Sequence, residues 1–386
     1  MFDTGTTAFM IMSCGFVLLM SPALALFYGG LSRKKNVVNT MLMCILAMCV
    51  VGCTWALIGD SIAYGNGADA FSEDGVLQNP ATLFIGGLER LGSSWALPEI
   101  VSANGAVTDD ATLSSASYGT YPSIMSVAFQ ATFAMVTTAI VTGSLAGRAK
   151  FGAVALIVVV WPLIVYAPMA HMVWGGGMLF MGWFGFNGGS ALVADGNAGL
   201  AVANTLFAGC AAGISWILIE RITTGAPTLV GAMSGIVAGL VVITPACGFV
   251  EPWAAMVLGL IVSPICYVFI ARLKRRLGWD DALDAFGLHG VGGIVGAVLT
   301  GVFATPELSW SEHAGLLYTG DPTLLISQII AVLFTIVFVG VITAAIGFAV
   351  KLLFGGTLRV DKHVENTGLD ATLHGESAYP AFSGLD

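Results

Sequence analysis

Charge is what this chain has least of. Asp, Glu, Lys and Arg make up 10% of its 386 residues, hydrophobic residues 57%, and the mean hydropathy is +0.89. A soluble domain carries about a quarter charged residues, so the composition excludes one and leaves a polytopic membrane protein. Ionisable chemistry is equally sparse. There are five histidines, no histidine–cysteine spacing suited to a metal, and no nucleophile–base pair. No metal, cofactor or enzymatic activity is therefore expected. A net charge of −9 offers nothing to nucleic acid. No basic segment precedes the first apolar run, so no cleavable signal peptide is expected. Low-complexity tracts and a soluble domain are missing too. The cysteines (Cys14, Cys44, Cys49, Cys53, Cys210, Cys247 and Cys266) all sit in apolar runs and read as packing residues rather than disulfides.

What the chain has is long apolar runs. Nine reach the roughly 20 residues that a crossing needs, near 7–30, 37–60, 122–147, 151–175, 199–220, 228–249, 252–272, 285–304 and 323–354. The last is long enough to tilt or protrude. The acidic stretch 61–121 reads as a large external loop. Residues 1–355 form one all-α transmembrane domain, and 356–386 a polar tail.

The basic residues set the orientation. Arg33, Lys34 and Lys35 follow the first run, Arg148 and Lys150 the third, Arg221 the fifth, and Arg272, Lys274, Arg275 and Arg276 the seventh. Lys351, Arg359 and Lys362 lie at the C-terminal end. By the positive-inside rule these are cytoplasmic, with Arg90 the lone exception. The N-terminus is then outside and the tail cytoplasmic. That scheme leaves no crossing for a tenth, short run, 177–194, which is interrupted by Gly182, Gly185, Gly188 and Gly189. The parity predicts a half-helix or re-entrant piece, tolerated only where it is buried or lines a cavity.

The most unusual run is Asp280–Gly301, DDALDAFGLHGVGGIVGAVLTG. It is apolar from Phe286 onward, rich in glycine, and contains His289. Gly292 and Gly296 stand four apart, a small-residue face suited to close helix packing in a membrane. An ionisable ring in such a helix is a candidate functional group.

Several stretches converge with it: FYGGLSRKKN (27–36), FQATFA (129–134), PMAHMVWGGG (168–177), GWFGFNGGSAL (182–192), TPACGFV (244–250), DAFGLHGVGGIVG (284–296) and GLDATLHGESAY (368–379). Taken together they resemble the ammonium transporter (Amt/Rh-type) family over nearly the whole chain. The resemblance implies a homotrimer in a prokaryotic inner membrane, one pore per subunit, with two inverted five-helix repeats and an eleventh helix. It implies that Trp174, Phe133 and Ser190 form an outer ammonium recruitment site. Phe133 and Phe186 would gate the pore and His289 would line it. Asp284 would support that helix, and the tail would cooperate with a PII-type regulatory protein.

Each residue also has a plainer reading. Phe133 and Phe186 suit a helix core, Trp174 an interfacial belt, and Ser190 a helix end. Asp284 suits a pair with the adjacent basic cluster. His171 suits a structural cap, and His313, His363 and His374 read as solvated.

One departure from the family pattern is large. There, WGGG leads into a helix opening Asp-Phe-Ala-Gly-Gly that carries a first pore histidine; a loop and a further helix then end in the GWFGFN stretch. Here Gly177 runs straight into Met178. The fifth transmembrane helix and its histidine are expected to be missing, which accounts for the lost crossing. Transport is the expected activity. A non-conducting ammonium sensor and an inactive truncated family member are the alternatives.

Overall fold

The computed structural model describes residues 3–65, 85–96, 121–172, 180–309 and 311–378. Among these, eight helices are long and apolar enough to cross a membrane. They are α1 (Thr4–Leu31), α2 (Lys34–Tyr64), α3 (Ser123–Gly143), α4 (Phe151–Ala170), α6 (Gly196–Thr223), α8 (Pro252–Arg276), α9 (Phe286–Phe303) and α10 (Thr323–Leu353). Two shorter pieces complete the set. α5 (Phe180–Trp183) continues through a wide turn over Phe184–Gly188, and α7 spans Leu229–Ile243.

All nine expected runs thus contain a helix, and their ends differ for local reasons. The 228–249 run stops being helical at Ile243, just ahead of Pro245. Residues 244–250 form a buried turn instead. Its exposed carbonyls need donors, and Asn204 of α6 supplies them: Nδ2 donates to the oxygens of both Cys247 and Val250, each at 2.8 Å. α2 runs on to Tyr64, into what the sequence assigned to the external loop. Residues 85–93 fold back on it, with Ser61 Oγ donating to Gly87 O at 2.7 Å and Ser93 Oγ to Ala56 O at 2.8 Å.

α1, α2 and α3 pack on one another, and α4 packs on α2. The pattern recurs: α6, α7 and α8 pack together, and α9 packs on α7. α10 rests on α9 and α4, where Trp161 Nε1 donates to Thr343 Oγ1 at 3.0 Å. α5 sits between α1 and α6. With its wide turn it covers residues 180–188, roughly 14 Å at 1.5 Å per residue, about half of a hydrocarbon core near 30 Å.

Small residues set the closest approaches. Ser263 Oγ of α8 donates to Ala212 O of α6 at 2.7 Å, a bond only near-touching backbones allow. At the α7–α9 seam, Gly292 and Gly296 are buried against Ala238–Val242. A Cβ at Gly296 would fall inside the Val242 carbonyl oxygen.

The tail is not free. Asp370 is 2% exposed and accepts from the backbone N–H groups of Val38 at 2.9 Å and Asn39 at 2.7 Å, capping the start of α2. Lys150 N donates to Leu358 O and Val360 N to Arg148 O. His374, read from sequence as solvated, is half-buried. Its Nε2 lies 3.0 Å from Asn39 Oδ1 and its ring stands edge-on to Phe151. The capped helix end is a tertiary target that sequence spacing does not reveal. His363 is exposed, and His313, also exposed, lies 3.1 Å from Asp321.

The seam gives a direct test. Gly296→Val should destabilise the detergent-solubilised protein by about 1–3 kcal/mol through overpacking, read as a lowered Tm. At Gly340 an added Cβ meets nothing within 4 Å, so Gly340→Ala should leave Tm unchanged or slightly raised.

Candidate functional site: an aromatic plug and a lone imidazole

Phe129 and Phe133 lie four residues apart on α3, hence on one face. Their rings meet edge to face at 4.7 Å. Phe186, in the wide turn after α5, stacks on Phe133 with centroids 3.9 Å apart and planes at 29°. Phe133 and Phe186 are each 1% exposed. Trp183 backs the stack, 6.5 Å from Phe186, and its indole N–H donates to Thr244 Oγ1 at 2.5 Å. Asn187 Nδ2 donates to Thr205 Oγ1 at 2.8 Å, fixing the turn to α6. The two rings therefore close on each other in a dry aromatic block between α3 and α6.

Ser190 follows one turn later and is exposed. Its hydroxyl donates to Phe186 O at 2.5 Å. That bond satisfies a helix-end carbonyl, as the plainer reading holds. It also commits the only proton the hydroxyl has, so its lone pairs are left as acceptors. A cleft of about 500 Å³ opens at the next residue, lined by Ala191, Asp195, Asn197, Glu307 and Ser309 among others. Two carboxylates thus face the space beside Ser190. Hydrogen bonding from Thr305 holds Glu307 below the usual carboxylate range.

His289 occupies the wide turn Phe286–Gly290 at the head of α9. It is half-buried, and its imidazole has no hydrogen-bond or ring partner among the described residues. No ring contact joins it to the aromatic block among the described residues. Asp284 lies in left-handed conformation (φ 55) and pairs with Lys274, whose ammonium also donates to Asp281 O at 2.8 Å. Trp174 falls outside the described residues, as does the junction Gly177–Met178; the described part of the 177–194 run begins at Phe180. Nothing is described of the His171 side chain.

Asp281 was not singled out from the sequence. It is 3% exposed and accepts from Gly287 N at 3.1 Å, inside the turn that carries His289. Burial raises its carboxyl above the ordinary range, and the Gly287 N–H opposes that. The available signal was an acid just ahead of a helix start. Asn204 and Asp370 gave less, because their partners lie 43 and more residues away.

Two measurements follow. A double-mutant cycle with Phe133→Leu and Phe186→Leu should give a coupling of about 0.5–1.5 kcal/mol in thermal or denaturant unfolding, the usual worth of an aromatic pair. At the rim, Glu251 Oε2 accepts from Tyr318 O–H at 2.7 Å and Trp253 Nε1 at 2.8 Å, which lowers its pKa. A lowered folded pKa contributes stability above the ordinary carboxylate value, lost as pH falls through the folded one. The Tm advantage of wild type over Glu251→Gln should therefore be full at neutral pH and shrink below pH about 4.

The sequence matches the Ammonium Transporter Family over residues 8–179 and 175–379. An ammonium transporter of Aquifex aeolicus (strain VF5) is 38% identical over 431 residues, covering 98% of this chain and 94% of that protein. One from Bacillus subtilis (strain 168) is 38% identical over 428 residues, covering 97% and 98%. Both alignments run over more positions than the 386 residues here, so both relatives carry sequence that this chain does not. Among solved structures, Saccharomyces cerevisiae Mep2 superposes with a TM-score of 0.76 at 26% identity, covering 94% of this chain and 88% of that one. Candida albicans Mep2 gives 0.77 at 25%, covering 94% and 87%. With a family match and relatives that run nearly its full length, the chain belongs to the ammonium transporter family.

Proposed function

We propose that this protein moves ammonium or ammonia across the cell membrane through a narrow apolar pore. The observation that carries the reading is the Phe133–Phe186 stack with Ser190 above it, its proton committed to Phe186 O. A hydroxyl turned into a pure acceptor suits a cation that donates N–H bonds. Potassium has a similar size and donates none, so it gains no directional hydrogen bond from that oxygen. Trp174 and Phe133 add aromatic faces, which attract a cation by about 2 kcal/mol when desolvated.

Rings 3.9 Å apart leave no room for a passing molecule, so the gate is shut in this conformation. Parting it costs the stacking preference, about 0.5–1.5 kcal/mol, plus local repacking. A barrier of that order is crossed thermally. Beyond the gate a bare ion meets the cost of hydrocarbon burial, several kcal/mol, and a neutral molecule does not. His289, with a donor on one ring nitrogen and an acceptor on the other, lines the path and relays protons.

The remaining readings are part of the same proposal. The subunits form a homotrimer, the N-terminus is external, residues 1–355 are the membrane domain, and 356–386 is a cytoplasmic tail open to a PII-type regulator. The family match in two segments that meet at 175–179 favours loss of the fifth helix there. It is also what supports the second reading, a sensor or inactive member that binds without conducting.

Labelled methylammonium uptake into cells lacking their own ammonium transporters tests both. Saturable uptake is expected, with Ser190→Ala lowering apparent affinity roughly tenfold to a hundredfold, the worth of about one hydrogen bond to a charge. No uptake despite normal membrane expression, restored by inserting the helix from the Bacillus subtilis relative, would replace transport with the second reading.

A further inference from the structure

We propose that Ser13 of α1 is a second hydroxyl ligand for the substrate nitrogen at the aromatic plug, an inference that rests on the transport reading above. α1 turns Phe9, Ser13, Phe16 and Met20 towards α5 and its wide turn, a spacing that puts all of them on one helix face. Gly182 lies against Phe16 and Met20, Gly185 against Ser13 and Phe16, Gly188 against Phe9, and Gly189 against Ser13. The glycines that interrupt the 177–194 run thus let it lie directly on α1. A Cβ at Gly185 would stand 2.9 Å from the Ser13 carbonyl oxygen.

Gly189 brings the hydroxyl to the rings. A Cβ there would stand 3.0 Å from Ser13 Oγ and 2.8 Å from Phe129 Cζ. Hydroxyl and ring tip are therefore neighbours, where the chain passes from Phe186 to Ser190. Phe129 meets Phe133 edge to face, and Phe133 stacks on Phe186. Ser13 stands at the α1 edge of that block.

On this stripe Ser13 is the one polar residue. It is 2% exposed, and its hydroxyl has no hydrogen-bond partner among the described residues. Helical hydroxyls elsewhere settle on the carbonyl four residues back: Thr40 on Asn36, Thr138 on Ala134, Thr205 on Ala201 and Thr300 on Gly296. Ser13 makes no such bond to Phe9 O. A buried hydroxyl without a partner is costly, and a visiting ligand removes the cost.

The two serines divide the hydrogen-bond chemistry. Ser190 has its proton on Phe186 O, so it only accepts. That suits ammonium, which only donates. Ammonia adds a lone pair, and a lone pair needs a donor. Ser13 has its proton free, so it accepts from an N–H or donates to the lone pair. It can hold the nitrogen in either protonation state as it passes from Ser190 to the rings. Ser13 itself gains and loses no proton.

The Tm of the detergent-solubilised full chain, in ammonium chloride against potassium chloride at the same concentration, tests this. Wild type should be more stable in ammonium. Ser13→Ala should lose most of that increment, because a site weakened roughly tenfold by one lost hydrogen bond adds little stability at the same ligand concentration. In potassium its Tm should be unchanged or raised, since an unpartnered hydroxyl is removed; a packing role would lower it. Ser327→Ala, on exposed α10, should keep the increment. An undiminished increment in Ser13→Ala, or none in wild type, overturns the proposal. Should Ser13→Ala not fold, Ser13→Cys carries the test, its thiol being a weak donor and acceptor; an undiminished increment there overturns it too. A wild type that shows the increment but takes up no labelled methylammonium sinks the transport reading, while loss of the increment in Ser13→Ala still supports Ser13 as a ligand.

Discussion

A backbone carbonyl or N–H in hydrocarbon must be bonded by the protein itself, because no water is there to do it. That requirement organises this molecule. Where the chain is a straight helix the ladder meets it. Where the helix breaks, a polar side chain is found. Asn204 answers the broken backbone after α7. Ser190 and Asn187 hold the end of the short α5 segment, and Asp281 holds the turn at the head of α9. These breaks are also where the candidate functional groups sit. Phe186 and His289 both lie in wide turns, which present side chains at angles that a regular helix does not allow.

The second organising feature is the division of polar tasks between the two ends of the bundle. At one end, Asp195 and Glu307 line a cleft beside Ser190, and Glu251 is held by Tyr318 and Trp253. At the other, basic residues are shared among several duties. Lys274 braces the His289 turn, Arg148 joins the tail to Asp280, and Lys150 joins it to the turn after α10. Tail, loops and the α9 turn are thereby linked by direct contacts.

Much of this was legible in advance. Apolar runs of helical length gave every spanning helix, because hydrocarbon thickness fixes the length and charge is excluded from it. Gly292 and Gly296 announced a close helix contact, and the ordered motifs announced the family. Less was legible in the breaks. Pro245 signalled that α7 would stop near it, yet nothing nearby in sequence showed that Asn204 would bond the carbonyls it frees. His374 looked solvated because its partner, Asn39, lies 335 residues away.

The sequence alone determined that this is a helical membrane protein of a recognisable family, because hydrophobic length and local motif are one-dimensional properties. Only the tertiary structure decided that Phe133 and Phe186 close face to face, that Ser190 has its proton committed, and that His289 stands without a partner among the described residues. Those facts depend on which helix faces which across the bundle, and packing settles that between residues far apart in the chain.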